Sequence, residues 1–250
     1  MAPDNPQLPP APDEITPEIS TWEDDETNAT RFLRAACVLV IGLLLGWAQW
    51  KSPLGNIGAN WNRWITTSVL FNFVLPLGMV WMLFGQGLVH QDWLKDQKHN
   101  AWDYGWRWGD WRKHLKIALI LWAVMLPFLI YFSRQPEVRL SYQYYLPPTT
   151  NALQWLWLLV SLAIYMFCWE WFFRGFGLFG IAQGFGPWVS IGIGALCFGL
   201  AHAGKPQAEM ISAFGGGLVL GVLCWREKSF VPAFFTHALV HCSFAVLVKI

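Results

Sequence analysis

The run Ala152–Gln183 reads ALQWLWLLVSLAIYMFCWEWFFRGFGLFGIAQ, and Gly184-Phe185-Gly186-Pro187 follows it. Its only charged residues are Glu170 and Arg174. The rest is apolar and longer than the roughly 20 residues that a helix needs to cross a bilayer core about 30 Å thick. Lipid offers backbone N–H and C=O groups no partner, so a spanning segment must bond them internally, and nothing in this run reads as a barrel strand. The run therefore predicts a membrane helix. The Gly-Phe-Gly-Pro sequence is a turn signal that folds the chain back into a helical hairpin with the next apolar stretch.

Further apolar stretches lie on both sides, near 32–50, 65–89, 115–133, 188–203, 208–225 and 230–248. Together with 152–183 they predict an all-α, polytopic transmembrane helix bundle of about seven spans. Composition agrees: 55% of residues are hydrophobic and 13% charged, where a soluble domain carries about a quarter charged residues. Eighteen tryptophans suit a chain with many membrane–water boundaries. A formal net charge of +1 excludes the basic footprint of a nucleic-acid-binding protein. The five cysteines (Cys37, Cys168, Cys197, Cys224 and Cys242) lie in apolar stretches without metal-ligand spacing and read as reduced packing residues.

Three regions follow from this pattern. Residues 1–30, rich in Pro and acid, read as a disordered polar tail. Residues 31–150 hold the first spans and interfacial loops, among them the Trp-rich segment 90–114 and the loop with Tyr142, Tyr144, Tyr145, Pro147 and Pro148. Residues 151–250 form the core that carries the chemistry. With the N-terminus inside, the inner segments hold ten Lys and Arg residues and the outer ones six. The positive-inside rule then favours a cytoplasmic N-terminus.

Ionised side chains inside a bilayer cost roughly 2.5–3.5 kcal/mol on insertion scales, so each needs a partner or a task. Glu170 and Arg174 are four apart, on one helix face, and alone would read as a self-satisfied ion pair. His202 ends the Phe198-Gly-Leu-Ala-His202 sequence, and a lone intramembrane His is often a helix contact. His237 and His241 share a helix face as zinc ligands do, but Ala238 stands where HExxH has its Glu. Geometry joins the fragments. Glu170 lies 15 residues before Phe185 and His202 lies 17 after it, about 22 and 25 Å along a helix. One carboxylate and three imidazoles are therefore expected around one cavity. Gly215-Gly216-Gly217 and Gly221 offer the sixth span a smooth packing face.

These motifs, in this order on successive late spans, resemble the CPBP family, which includes the CAAX-processing endopeptidases. The family pattern is Glu-Glu-x-x-x-Arg, then Phe-x-x-x-His, then His-x-x-x-Asn. Glu170 and Arg174 match the second Glu and the Arg, Phe198 and His202 the second motif, and His237 the last, with His241 in the Asn position. The resemblance spans roughly 150–250. It implies an intramembrane endopeptidase in which Glu170 and His202 activate water, His237 and His241 hold the oxyanion and Arg174 orients Glu170. It implies no cofactor and no obligatory metal. The implied partners are membrane lipid and a membrane-associated protein or peptide, and the implied location is a prokaryotic cytoplasmic membrane. One departure stands out: Trp169 occupies the place of the first Glu, the residue usually assigned as base. Three other readings stay open: a non-catalytic scaffold or bacteriocin-immunity factor on the same fold, a zinc hydrolase using His202, His237 and His241, and, with less support, a transporter.

Overall fold

The computed structural model describes residues 28–51, 61–84 and 104–250. These form ten helices: α1 (Asn28–Lys51), α2 (Trp61–Val69), α3 (Leu75–Phe84), α4 (Trp111–Ser133), α5 (Pro136–Tyr145), α6 (Ala152–Glu170), α7 (Leu178–Phe185), α8 (Pro187–Leu200), α9 (Gln207–Glu227) and α10 (Val231–Lys249). Two π-helical segments, Leu70–Val74 and Trp171–Gly177, run α2 into α3 and α6 into α7 without a break. Among the described residues six helices are long and apolar enough to cross a membrane, and α8 is a shorter apolar seventh. The protein is thus a multi-pass integral membrane helix bundle whose six spans and α8 overlie the seven apolar runs. The run read over 65–89 is met by Trp61–Trp81, with 85–89 outside the described residues, and the run read over 188–203 by a helix that ends at Leu200. The polar tail read over 1–30 lies outside the described residues except for 28–30, which open α1. The interfacial segment read over 90–114 is described from 104 onward.

Local chemistry sets the helix ends. Asp110 and Asn151 cap α4 and α6 by accepting from the backbone N–H of Lys113 (3.1 Å) and Gln154 (3.0 Å). Gly186, at φ 78°, ends α7, and Pro187 starts α8 where its missing N–H has no helical partner to lose. The hairpin expected at this turn is present, with α7 packed on α8. One segment differs from its sequence reading. The loop before the fourth span contains α5, which starts on Pro136 with Glu137 in its first turn. Its Val138 and Tyr142 are buried in a cluster with Leu129, Leu158 and Phe244. Tertiary burial, which a local pattern does not show, makes this polar decamer helical.

Helix α10 packs on α4 and α6, α8 on α9, and α1 on α7. Of the glycines expected to smooth the sixth span, two do so. A Cβ on Gly217 would fall 2.9 Å from Ala195 Cα, and one on Gly221 would fall 3.2 Å from Ile191, whereas Gly215 and Gly216 face open space. At one end of the bundle α4, α9 and α10 converge, with Lys113 Nζ bonded to Glu227 at 2.7 Å. At the opposite end lie α5, the turn after α8 and the starts of α2 and α6. There Trp61 Nε1–H donates to Ser161 Oγ at 2.9 Å.

Candidate active site

Glu170 ends α6 and is fully buried, at 0% exposure. Arg174, one turn on within the π-helical segment, donates from Nη1 to Glu170 Oε1 at 3.1 Å and stands 3.0 Å from Oε2. From α10, His237 brings Nδ1 to 2.6 Å of the same Oε1. A carboxylate oxygen only accepts, so Nδ1 of His237 carries the hydrogen. π-Helical turns recur at functional sites because they widen the helix and re-aim side chains. Here the widened turn holds Arg174 against the carboxylate that α6 supplies.

Phe198 of α8 is the hub of the group. The Arg174 guanidinium lies 4.0 Å over its ring, a cation–π seat. The rings of His202 and His237 stand 5.0 and 5.7 Å from it. The Phe198 carbonyl also takes His202 Nδ1 at 2.8 Å. A carbonyl oxygen only accepts, so in neutral His202 the hydrogen sits on Nδ1 and Nε2 keeps its lone pair. His202 itself lies just past α8, in the turn that follows Leu200, and is half-buried.

His241 follows His237 by one turn, their rings 6.1 Å apart and nearly perpendicular. Tyr165 stands 6.3 Å from His241 and 5.5 Å from Trp169, and Trp169 presents an edge to His202 at 6.3 Å. Trp169 is therefore a wall between the Tyr165 side of the group and His202. Its indole N–H is buried and has no hydrogen-bond partner among the described residues, nor does Arg174 Nη2.

The structure gathers Glu170, Arg174 and His237 into one bonded unit and sets His241 beside it. His202 belongs to the same aromatic cage, but no hydrogen bond joins it to Glu170 among the described residues. The depth count for His202 treated 188–203 as one helix; α8 stops at Leu200 and His202 lies in the turn after it. Among the described residues no three His, Cys, Asp or Glu side chains are grouped to hold a metal ion. Two features were not legible in the sequence. Phe198 entered it only as part of a spacing, and its role as a seat for Arg174 needs a contact between spans. Tyr142, Lys205 and Glu209 at the rim meet from three elements. Of these, only the four-residue spacing of Lys205 and Glu209 was a readable signal.

A cleft of about 230 Å³, lined by Trp61, Asn62, Pro147, Pro148, Gln154 and Trp157, opens at the α5 end. Its wall residue Trp61 lies 5.1 Å from Trp64, and Trp64 lies 4.2 Å from Tyr165, both as tilted ring pairs. No curated protein and no solved structure matches the chain. Residues 151–243, the stretch that carries all three motifs and every side chain of this group, match the model of the Rce1-like family, type II CAAX prenyl endopeptidases.

Proposed function

We propose that the protein is an intramembrane endopeptidase that hydrolyses a peptide bond of a membrane-associated protein or peptide, with His202 as its base. The observation that carries this reading is the bond from His202 to the Phe198 carbonyl, which leaves Nε2 as an acceptor on a half-buried ring. The family matched by 151–243 is one of endopeptidases, which supports the same class of reaction.

In this mechanism water loses a proton to His202 Nε2 as its oxygen bonds to the scissile carbonyl carbon. The oxygen that becomes negative is met by an N–H of His241 and, with His237 entering the step as an imidazolium, by the Nε2–H of His237, whose Nδ1–H stays on Glu170. Glu170 does not touch the water. It is a positioning residue that turns His237 and balances the positive charge that this ring carries throughout, and Arg174 fixes Glu170 in turn. The proton on His202 then passes to the leaving nitrogen, the C–N bond breaks, and a carboxylic acid and an amine result. Preorganised donors at the oxyanion commonly contribute several kcal/mol to such a barrier.

The ten-to-six division of Lys and Arg puts the α5 end, with its cleft and His202, on the outer face. The substrate then approaches from that side. A second reading, a peptide-binding protein that does not cut, is favoured by one observation: the carboxylate nearest the imidazoles is sealed, at 0% exposure, and Trp169 walls the group. The experiment compares protein termini by mass spectrometry in membranes and medium of cells carrying wild type, His202→Ala or His237→Gln at matched expression. A terminus present only with wild type supports the peptidase. Identical termini in all three would leave the binding reading.

A further inference from the structure

A second constellation of ionisable side chains stands at the rim on the α5 end, outside the imidazole group. Glu209, in the first turn of α9, presents Oε1 to two donors: Tyr142 OH from α5 at 2.7 Å and Lys205 Nζ from the turn after α8 at 2.6 Å. Lys205 Nζ also donates to Tyr142 OH at 3.2 Å. Two donors from separate elements thus converge on one carboxylate oxygen, while Glu209 Oε2 has no hydrogen bond among the described residues.

Tyr142 is the held donor, whereas the Lys205 and Glu209 side chains both reach solvent, 37% and 26% exposed. Tyr142 is 9% exposed, and its ring meets Phe244 edge-on at 4.8 Å. Burial chiefly pushes the Tyr142 hydroxyl up to about 12, so it remains a donor throughout the physiological range. Lys205 is tied by its backbone N–H to the His202 carbonyl at 3.1 Å, one tight turn from the proposed base. Its charge also acts on the rings of His202 and His241. The other cation in the group, Arg174, is already bonded to Glu170. Glu209 pairs with Lys205 at i,i+4 in a contact open to solvent on both sides. Such a pair contributes little to stability, so an incoming carboxylate can replace Glu209 between a held hydroxyl and an accessible ammonium and gain charge-assisted hydrogen bonds.

We propose that Tyr142 and Lys205 form a carboxylate-binding subsite, taking a C-terminal or side-chain carboxylate of the peptide a few residues from the cleaved bond, and that Glu209 is the internal occupant it displaces. As a subsite for cleavage this rests on the peptidase reading; as a binding site it is tested without it.

The test uses the full chain in lipid nanodiscs and short acylated peptides of random sequence. The peptides are made as free acids and as carboxamides, each with Asp and Glu included or left out. Retained peptides are quantified by mass spectrometry. Acidic members should be retained about tenfold over neutral ones. A difference between free acid and carboxamide identifies the C-terminus as the ligand, and a difference between the Asp/Glu pools identifies the side chain. Lys205→Gln should remove the preference, Lys205→Arg should keep most of it, and Glu209→Gln should enlarge it because the competitor is gone. Equal retention of acidic and neutral peptides by wild type, or a preference that survives Lys205→Gln, overturns the subsite. A Lys205-dependent preference in a protein that cuts nothing keeps the subsite and removes the peptidase; cutting without any preference does the reverse.

Discussion

Glu170–Arg174 and Lys205–Glu209 are both carboxylate–cation pairs at i,i+4, and in the sequence they look alike. In the structure they sit at opposite extremes. In the first pair Glu170 is 0% and Arg174 4% exposed; in the second Lys205 is 37% and Glu209 26% exposed. Spacing therefore sets who meets whom, while burial sets what the meeting is worth. A sealed pair cannot lose one member cheaply, because the other is left as a bare charge in a low dielectric. An exposed pair can, because water takes over.

The largest effect expected from this contrast is on Glu170→Gln. It leaves Arg174 buried without a counter-charge and takes an anionic partner from His237, at a cost of about 3–5 kcal/mol. Unfolding in mixed detergent should show that loss, or the variant should fail to accumulate. Glu209→Gln, measured the same way, should stay close to wild type. Equal losses in the two would break the comparison. A consequence concerns enzymology: inactivity of Glu170→Gln says nothing about catalysis until folding has been measured.

His202→Ala should do the opposite. His202 is half-buried and makes one hydrogen bond to a neighbouring carbonyl, so its loss should leave stability within about 1 kcal/mol of wild type. Peptide cleavage should fall by a factor of about 100 or more, the usual contribution of a positioned base. Full cleavage by this variant would move the base elsewhere in the group.

A sharper cut separates the structural from the functional share of the sealed pair. Replacing both members, Glu170→Met with Arg174→Met, removes the two charges together. Apolar replacement of a buried ion pair is often neutral or stabilising by about 1–4 kcal/mol. The double variant should therefore regain most of the stability lost in Glu170→Gln while its cleavage stays low, because His237 has lost the acceptor that turns it. Recovery of cleavage along with stability would mean that the pair serves only to hold α6.

Most of the fold was legible because membrane helices announce themselves by length and hydropathy, and the spans needed no knowledge of their neighbours. The site was legible in part. Glu170, Arg174, His202, His237 and His241 stood out as ionisable groups in apolar runs, and that rule does not depend on tertiary structure. Their pairing did depend on it. Depth counted along ideal helices gave Glu170 and His202 a similar level, but it could not say that α10 would bring His237 to the Glu170 carboxylate. The tertiary contacts of Phe198, Trp169 and Tyr142 had no local signal at all. Their positions follow from helix crossings, as with Gly217, where a Cβ would press on the Ala195 backbone. Gly217→Ala should push α9 off α8 and cost about 1–3 kcal/mol, the range for overpacking a tight contact.

The smallest stability effect is expected at the rim, and it is the one that tests the lesson of the comparison. Lys205→Gln breaks a 2.6 Å ion pair, yet both side chains reach solvent, so stability should change by less than about 1 kcal/mol. The same substitution is expected to erase the preference for acidic peptides. A buried pair whose loss first shows in folding and an exposed pair whose loss first shows in selectivity divide the work of holding and choosing. If Lys205→Gln instead unfolds the protein as Glu170→Gln does, the rim trio is a strut that ties α5 to α9. Its two donors would then be held for Glu209 and for no other carboxylate.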